Sequence, residues 1–277
     1  MSTQPPTSFP LATISQSEVR LLKSSFIDQV YQISIALPDN YAKLEKHYPV
    51  VYMLDSNGMF GMVTEIARFL RLMTETPELL LVGIGYPVSN FDDTLAIRTR
   101  DYTPSVSQKD YEIIRSAFPV APPYAGSGEA PKFFQFITEN LMPMIDSSYR
   151  TLPKSNILLG DSLAGLFCLY SLFRQPEVFK TYVVGSPSIW WDNNLILKIE
   201  NEYASKHKNL VANVLMYVGL DEDPTSISDF YKLNGSLQGR KYESLNLVTH
   251  GFENETHVSV IPAFVSRGLR EAFAPKG

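Results

Sequence analysis

The chain contains a single cysteine among its 277 residues, Cys168, which lies between Phe167 and Leu169. One cysteine excludes an internal disulfide and a metal site made of cysteine thiolates. Its apolar neighbours predict a buried, unreactive thiol. The missing disulfide framework, together with the composition described below, favours a cytoplasmic location.

A dense cluster of lysine and arginine is also missing. The chain has 24 basic and 29 acidic side chains, which give a formal net charge of −5. A mildly acidic chain is poorly suited to bind nucleic acid or an anionic membrane surface, so we expect neither as a partner. Nothing in the sequence specifies an oligomeric state.

The sequence also lacks the patterns of a signal peptide and of a membrane span. The first residues, MSTQPPTSFPLATISQS, have no basic segment and no apolar core. The most apolar stretch, 157–173, is short and carries Asp161 in its middle. A buried strand followed by a buried helix therefore explains it better than a membrane span.

What the chain does contain is a series of short, continuous apolar runs. Runs of this length are typical of the central strands of a parallel sheet, which helices cover on both faces. They lie at residues 49–54, 79–86, 156–160, 181–186, 213–219 and 244–250.

Residues 30–37, VYQISIAL, alternate between apolar and polar instead, which predicts a half-buried strand near a sheet edge. Segments with helical spacing of apolar residues lie at 133–144, 163–173, 192–206 and 259–273. The alternation of strands and helices predicts a doubly wound, mostly parallel α/β sheet with helices on both faces. Because no linker or internal repeat interrupts it, we expect residues 1–277 to form a single domain.

One segment breaks this alternation. Residues 103–131 are rich in proline, serine and glycine and have no clean period. A connection this long within a compact domain is usually functional or disordered. Since it leads toward the strand at 156–160, we expect a lid or substrate-binding insertion near the strand ends; a solvent-exposed loop without function is the alternative.

The sequence ILLGDSLAGLF, residues 157–167, places Ser162 directly between a predicted strand and a predicted helix. This context is the one that a nucleophile elbow, G-x-S-x-G, requires. Gly160 provides the first small residue, and Ala164 replaces the second glycine with one additional methyl group. We therefore predict that Ser162 is a nucleophile, and that Leu163 supplies a backbone N–H to an oxyanion at the helix N-terminus.

A serine nucleophile requires a base, and the chain has four histidines. His257 follows the last predicted strand and precedes the last helix, which is the position of the base when the catalytic residues occur in the order serine, acid, histidine. His250, at the end of a strand, is the alternative. His47 precedes a strand and His207 lies in a charged stretch, so neither is favoured.

The acid should follow the strand at 213–219, where the chain reads VGLDEDP. Glu222 is favoured, with Asp221 next, and a solvated acidic turn is the alternative. The acid would fix the imidazole tautomer and stabilise the imidazolium. A second oxyanion donor is expected in DSNGMF, after the strand at 49–54: Ser56 and Asn57 are the candidates, with Gly58 giving the loop freedom to aim them.

Several blocks occur in the same order as in a known family. They are YPVVYMLDSNGMF, LLLVGIGYP, RTRDYTP, FFQFITENLMPMIDSSYRT, GDSLAGLF, SPSIWWDN and ETHVSVIPAFVSRGLR. From about residue 27 to 273 the chain resembles the esterases of the α/β-hydrolase superfamily that are related to enterobactin (ferric siderophore) esterases. The resemblance implies the α/β-hydrolase fold, with Ser162 as nucleophile, His257 as base, Glu222 as acid, and Ser56 and Asn57 in the oxyanion loop.

Further residues are candidates for binding substrate. Trp190 and Trp191 follow a predicted strand at its carboxyl end and could form an apolar wall, although one of them is expected to be core. Arg100 could bind substrate, but an Arg–Asp pair that pins the loop is equally expected. Asp161 replaces the histidine often found before the family's nucleophile, and we expect it to tune the preference for substrate charge.

These features predict a serine hydrolase that cleaves carboxylic esters of small molecules through an acyl-enzyme. No metal and no organic cofactor is expected. An acyltransferase that uses the same acyl-enzyme is the first alternative. A ligand-binding protein without catalytic activity, on the same fold, is the second. A Ser162–His257 dyad without an acid also remains open.

Overall fold

The protein is described here from a computed structural model covering residues 12–88, 93–118 and 121–274. Within these ranges the chain forms one eight-stranded sheet. Its strands are β1 (Ser17–Lys23), β2 (Val30–Ala36), β3 (Val50–Met53), β4 (Leu80–Gly85), β5 (Ile157–Asp161), β6 (Thr181–Gly185), β7 (Ala212–Gly219) and β8 (Leu245–Phe252).

The strand order is β1-β2-β4-β3-β5-β6-β7-β8. The β1–β2 and β2–β4 pairs are antiparallel, and all pairs from β4 to β8 are parallel. Each apolar run predicted as a strand forms one, and every residue of β3, β4, β5, β6 and β7 is buried. The doubly wound, mostly parallel sheet predicted from the sequence is therefore confirmed.

Helices cover both faces of the sheet. They are α1 (Ser56–Leu72), α2 (Thr94–Tyr102), α3 (Gln108–Ala117), α4 (Ala130–Gln135), α5 (Met142–Ser148), α6 (Leu163–Arg174), α7 (Trp191–Lys206), α8 (Pro224–Arg240) and α9 (Val260–Phe273). A π-helical segment, Phe136–Leu141, joins α4 to α5. Helices α1 and α9 pack on one face with their own apolar cluster, and the larger cluster on the other face includes α4 and α6. In the three described ranges, no helix combines the length and the apolar character needed to cross a membrane.

The predicted alternating strand is β2, in which Tyr31, Ile33 and Ile35 are fully buried. It lies second from the edge of the sheet, and the edge itself is β1, which the sequence analysis missed. Val19 and Leu21 of β1 are 60% and 65% exposed, so apolar side chains point to solvent there and give no sign of a buried face.

The long connection at 103–131 contains the helix α3. Its two ends meet at the base, where the Ala130 N–H donates to the Thr103 carbonyl at 3.1 Å and the Gly128 N–H donates to Thr103 Oγ1 at 2.8 Å. Residues 119 and 120 of this connection lie outside the described residues. Hydrogen bonds therefore hold together the two ends of residues 103–131, and we call this segment the insertion.

Candidate active site

Ser162 occupies a strained turn between β5 and α6, with φ 60° and ψ −120°. A residue other than glycine in such a region costs on the order of 1–3 kcal/mol and persists only where its surroundings hold it. Here the Ser162 N–H donates to the Gly185 carbonyl, and the Ser188 N–H donates to the Ser162 carbonyl, both at 3.0 Å. The neighbouring strand and its loop therefore hold the serine on both sides.

The small residues around Ser162 are required by contact. A Cβ on Gly160 would lie 2.6 Å from the Ala164 carbonyl oxygen, and one on Gly165 would lie 2.6 Å from that of Gly185. Both positions therefore need glycine, whereas the methyl group of Ala164 fits in the fully buried space that it occupies. The replacement of the second glycine by alanine leaves the elbow geometry intact.

His257 is paired with Glu222 through its Nδ1, which lies 2.8 Å from Glu222 Oε2. The other carboxylate oxygen, Oε1, accepts hydrogen bonds from the Gly219 N–H at 2.8 Å and from the Ser186 hydroxyl. The Glu222 side chain is only 3% exposed, so this carboxylate is enclosed by donors. If Nδ1 carries the proton that Glu222 accepts, Nε2 is left with a free lone pair.

The environment shifts the pKa of both partners in the sense that favours an ion pair. Burial raises the pKa of Glu222, but the hydrogen bonds from His257 and Ser186 outweigh it and leave the pKa below its ordinary value. Burial lowers the pKa of His257, but the hydrogen bond to Glu222 and the negative charge of that carboxylate oppose it, and the pKa lies above its ordinary value. The imidazolium form is thus stabilised.

The other candidates for base and acid lie elsewhere. His250 is in β8, with its ring 4.5 Å from and nearly perpendicular to that of Phe252. His207 stacks on Tyr203 at 4.2 Å. Asp221 has an exposed side chain. Of the carboxylates in VGLDEDP, only Glu222 meets a histidine in the described part of the chain.

The predicted oxyanion residues Ser56 and Asn57 form the first turn of α1. Their N–H groups are among the first four of that helix, which have no acceptor within it. Gly58 was expected to give this segment its freedom, and that prediction is wrong, because Gly58 lies inside α1 and the left-handed residue is Asp55, at φ 54°.

Two pairs of hydrogen bonds fix this turn. Arg98 binds Asp55 through Nε and Nη2, both at 2.7 Å. The Asn57 side chain donates to the Tyr86 carbonyl and accepts from the Tyr86 N–H, both at 2.8 Å. The loop predicted to supply the oxyanion donor is therefore anchored to α2 and to the end of β4.

The two tryptophans have different environments. Trp191 is fully buried and its Nε1 donates to Ser105 Oγ at 3.2 Å, so it belongs to the core. Trp190 is partly buried and packs against the same cluster. Arg100 donates from Nε to Asp101 Oδ1 at 2.7 Å, in line with the expected Arg–Asp pair. Trp190 therefore remains a candidate for the substrate wall, and Arg100 lies in a structural pair.

Asp161 is only 6% exposed, and its Oδ1 has no hydrogen-bond partner. Burial raises the pKa of Asp161 to about 8, although the positive charges of His257 and Arg98 oppose the shift. Its carboxyl group is therefore mostly protonated at neutral pH. An effect on substrate charge, as expected from the sequence, would appear chiefly above that pKa.

Two further serines belong to the site and were missed from the sequence. Ser188 Oγ lies 3.3 Å from Ser162 Oγ. Ser186 donates its hydroxyl to Glu222. Both occur in GSPS, directly after β6, so two hydroxyl residues at the carboxyl end of a strand beside β5 were the available signal.

A cavity of about 380 Å³ lies between α1 and the ends of β2 and β4, where Leu37, Thr64 and Leu79 line it. This is the amino end of β4, and none of the predicted site residues lines the cavity. In the described ranges, no group of three or more His, Cys, Asp or Glu side chains is arranged to hold a metal ion.

Comparison with known proteins places the chain among esterases. The model of a family described as "Putative esterase" matches residues 24–250. A ferri-bacillibactin esterase from Bacillus subtilis (strain 168) is 33% identical over 282 residues, which span 96% of this chain and 92% of that protein.

Solved structures agree with this result. The BES protein from Bacillus cereus superimposes with a TM-score of 0.83 at 29% identity, covering 97% of this chain and 100% of that one. An IroE-like serine hydrolase from Shewanella oneidensis superimposes with a TM-score of 0.78 at 25% identity, covering 92% of this chain and 79% of that one.

The buried carboxyl of Asp161 predicts a pH-dependent gain in stability for Asp161→Asn. In the unfolded chain this group titrates near its ordinary value of 3.8, whereas burial in the folded chain raises its pKa to about 8. The stability due to the protonated form is therefore complete below pH 3.8 and is lost as pH rises through 8. Since Asn never ionises, the free energy of unfolding of the variant should exceed that of wild type by about 5 kcal/mol at pH ~8 and by less than about 1 kcal/mol near pH ~4.

Urea unfolding of both proteins at the two pH values measures this difference. Asp28→Asn is the matched control, because the Asp28 side chain is 97% exposed and its replacement should leave the difference near zero at both pH values. An equal effect of Asp161→Asn at both pH values would contradict the buried, protonated carboxyl.

Proposed function

Because this chain belongs to the "Putative esterase" family, we propose that it cleaves the esters of a siderophore, with Ser162, His257 and Glu222 as its catalytic residues. The chain is a serine hydrolase of carboxylic esters with the α/β-hydrolase fold, and its substrates are small molecules. The observation that carries the siderophore proposal is the 33% identity to a ferri-bacillibactin esterase along almost the whole of both chains.

In the proposed reaction, Ser162 Oγ attacks the ester carbonyl carbon while His257 Nε2 accepts the hydroxyl proton. The carbonyl oxygen becomes an oxyanion, to which the Leu163 N–H and the N–H of Ser56 or Asn57 donate. The imidazolium then gives its proton to the leaving alcohol oxygen as the C–O bond breaks. Water, deprotonated by His257, attacks the acyl-enzyme and releases the acid and free Ser162.

The role proposed for Glu222 follows from its contacts. It accepts from His257 Nδ1 at 2.8 Å, and its second oxygen is occupied by Gly219 and Ser186. A carboxylate held in this way keeps the imidazole in one tautomer and stabilises its positive charge. The triad therefore has better support than a dyad of Ser162 and His257.

The proposed oxyanion site depends on an anchored loop. Arg98 and Asp55 are both largely buried and form a bidentate pair, which gives the turn before Ser56 a fixed position. Donors held in advance do not have to reorganise when the oxyanion forms.

The alternatives raised by the sequence receive no support of this kind. The named relative is an esterase, which favours neither an acyltransferase nor a ligand-binding protein without activity. We retain from the sequence the predictions of a cytoplasmic location, of a single domain over residues 1–277, and of no nucleic-acid or membrane partner. The insertion is proposed to bind substrate.

The proposal predicts that the purified protein hydrolyses both ferri-bacillibactin and p-nitrophenyl acetate. Ser162→Ala should lower both rates by at least about 10⁴, because the residual catalysis comes from oxyanion binding alone. Ser205→Ala, which removes an exposed hydroxyl that donates to the Glu202 carbonyl in α7, is the matched control and should leave both rates unchanged. Chromatography of the siderophore products and absorbance of p-nitrophenolate measure the two reactions.

The two substrates separate the parts of the proposal. Hydrolysis of p-nitrophenyl acetate without any hydrolysis of ferri-bacillibactin would leave the serine hydrolase and overturn the siderophore assignment. Equal rates for Ser162→Ala and wild type would move the nucleophile to another residue.

The triad predicts a specific change in the pH profile for Glu222→Gln. His257 acts as a base only when neutral, and its pKa is raised, so kcat/KM should fall as pH drops through a value above 6.5. Glu222→Gln removes the carboxylate that raises this pKa, so the acid limb should move to lower pH while the plateau falls by about 10³ to 10⁴.

Asp221→Asn is the matched control, because it neutralises the adjacent, exposed carboxylate and should leave the limb and the plateau in place. A fall in the plateau for Asp221→Asn alone would assign the acid to that residue. Unchanged profiles for both variants would favour the dyad.

A further inference from the structure

The segment that follows β6 and includes the first four residues of α7 contacts two residues of the proposed site, Ser162 and Glu222. We refer to residues 186–194 as the tryptophan loop. Ser186 donates its hydroxyl to Glu222, and Ser188 Oγ lies 3.3 Å from Ser162 Oγ. Trp190 follows two residues later and is partly exposed. The position of Trp190 relative to the nucleophile is therefore set by the backbone of this loop.

The end of the tryptophan loop adopts a conformation that the loop does not favour on its own. Asp192, Asn193 and Asn194 are consecutive and left-handed, with φ of 47°, 54° and 59°. Asp and Asn are the residues other than glycine that tolerate this region best, but as single residues rather than in a run. Three in succession therefore require contacts from outside the loop.

The insertion provides two of these contacts. The Asp192 N–H donates to Asp110 Oδ2 at 2.7 Å, and Trp191 Nε1 donates to Ser105 Oγ at 3.2 Å. A third contact comes from α8, where Asp229 Oδ2 accepts from Asn194 Nδ2 at 2.5 Å. The tryptophan loop is thus held from both sides, with the insertion on the side of the tryptophans.

Asp110 is the residue where the two segments meet. It lies in the first turn of α3 and is only 7% exposed. The same oxygen, Oδ2, accepts from Ser107 Oγ at 2.7 Å, and Ser107 is the N-cap of α3. One carboxylate oxygen therefore joins the start of the insertion helix to the backbone of the tryptophan loop.

We propose that Asp110 is a positioning residue: by holding the Asp192 N–H it fixes Trp190 as a wall for the acyl group of the ester, so that the insertion selects esters with large or aromatic acyl groups. The inference rests on the proposed function in that Ser162 is taken as the nucleophile. Asp110 itself need not touch the substrate. Its effect is to keep the Trp190 ring at one distance from the serine.

The tryptophan content provides a direct readout of this loop. The chain has two tryptophans, and both lie in the tryptophan loop. Tryptophan emission, excited at the red edge where tyrosine does not absorb, therefore reports on this segment alone. Loss of the contact with Asp110 should shift the emission to the red and raise quenching by acrylamide, without any need for a substrate.

Asp110→Ala should show both fluorescence changes. It should also lower kcat/KM for p-nitrophenyl benzoate by about tenfold while leaving p-nitrophenyl acetate within about twofold, because the two esters differ only in the acyl group that Trp190 would face. Asp110→Asn keeps an oxygen that accepts the Asp192 N–H, so it should restore the emission and the ratio of the two rates.

Ser107→Ala is the matched control. It removes the N-cap of α3 but keeps the bond between Asp110 and Asp192, so it should lower the melting temperature without changing emission or the benzoate-to-acetate ratio. Ser105→Ala, which removes only the partner of Trp191 Nε1, should raise quenching to a smaller extent. This variant keeps the test valid if Asp110→Ala does not fold.

Three results would overturn the inference. The first is that Asp110→Ala changes neither the tryptophan emission nor the benzoate-to-acetate ratio. The second is that Ser107→Ala reproduces all the changes expected of Asp110→Ala. The third applies if Asp110→Ala does not fold, and is that Ser105→Ala leaves acrylamide quenching unchanged. A wild-type protein that cleaves neither ester would instead contradict the proposed function, while the fluorescence of the same variants would still decide whether Asp110 holds the tryptophan loop.

Discussion

The contact between β5 and α6 at Gly160 is the constraint on which the rest of the site depends. The chain turns so sharply there that a Cβ on Gly160 would lie 2.6 Å from the carbonyl oxygen of Ala164. This close contact between β5 and α6 allows Ser162 to adopt φ 60° while its N–H donates to the Gly185 carbonyl. The next residue, Leu163, then begins α6. The Ser162 hydroxyl and the free N–H groups of α6 then lie together at the carboxyl end of the parallel strands.

The order of the parallel strands brings the other residues of the site to the same end of the sheet. Ser56 follows β3, Ser162 follows β5, Ser186 follows β6 and Glu222 follows β7, and these strands are neighbours in the sheet. His257 follows β8, which pairs directly with β7, so the imidazole lies beside the carboxylate of Glu222. Parts far apart in sequence therefore meet because the carboxyl ends of parallel strands lie together.

Much of this arrangement can be predicted from the sequence, since buried parallel strands appear as apolar runs and the elbow has a local pattern. Glu222 could be favoured over Asp221 but not distinguished by residue type, because only the folded chain encloses one carboxylate and leaves its neighbour exposed. The edge strand β1 has no buried face to produce a pattern. The protonated state of Asp161 and the contacts of Ser188 likewise depend on tertiary packing, which the sequence pattern does not show.

Covalent labelling can show whether Ser162 is a nucleophile activated by its position at the elbow. A fluorophosphonate probe should attach one group per chain, on the peptide that contains Ser162. Ser162→Ala should remain unlabelled while retaining the melting temperature and circular dichroism of a folded protein. Labelling of Ser162→Ala at the wild-type rate, or a wild-type protein that takes up no label, would mean that Ser162 is not an activated nucleophile.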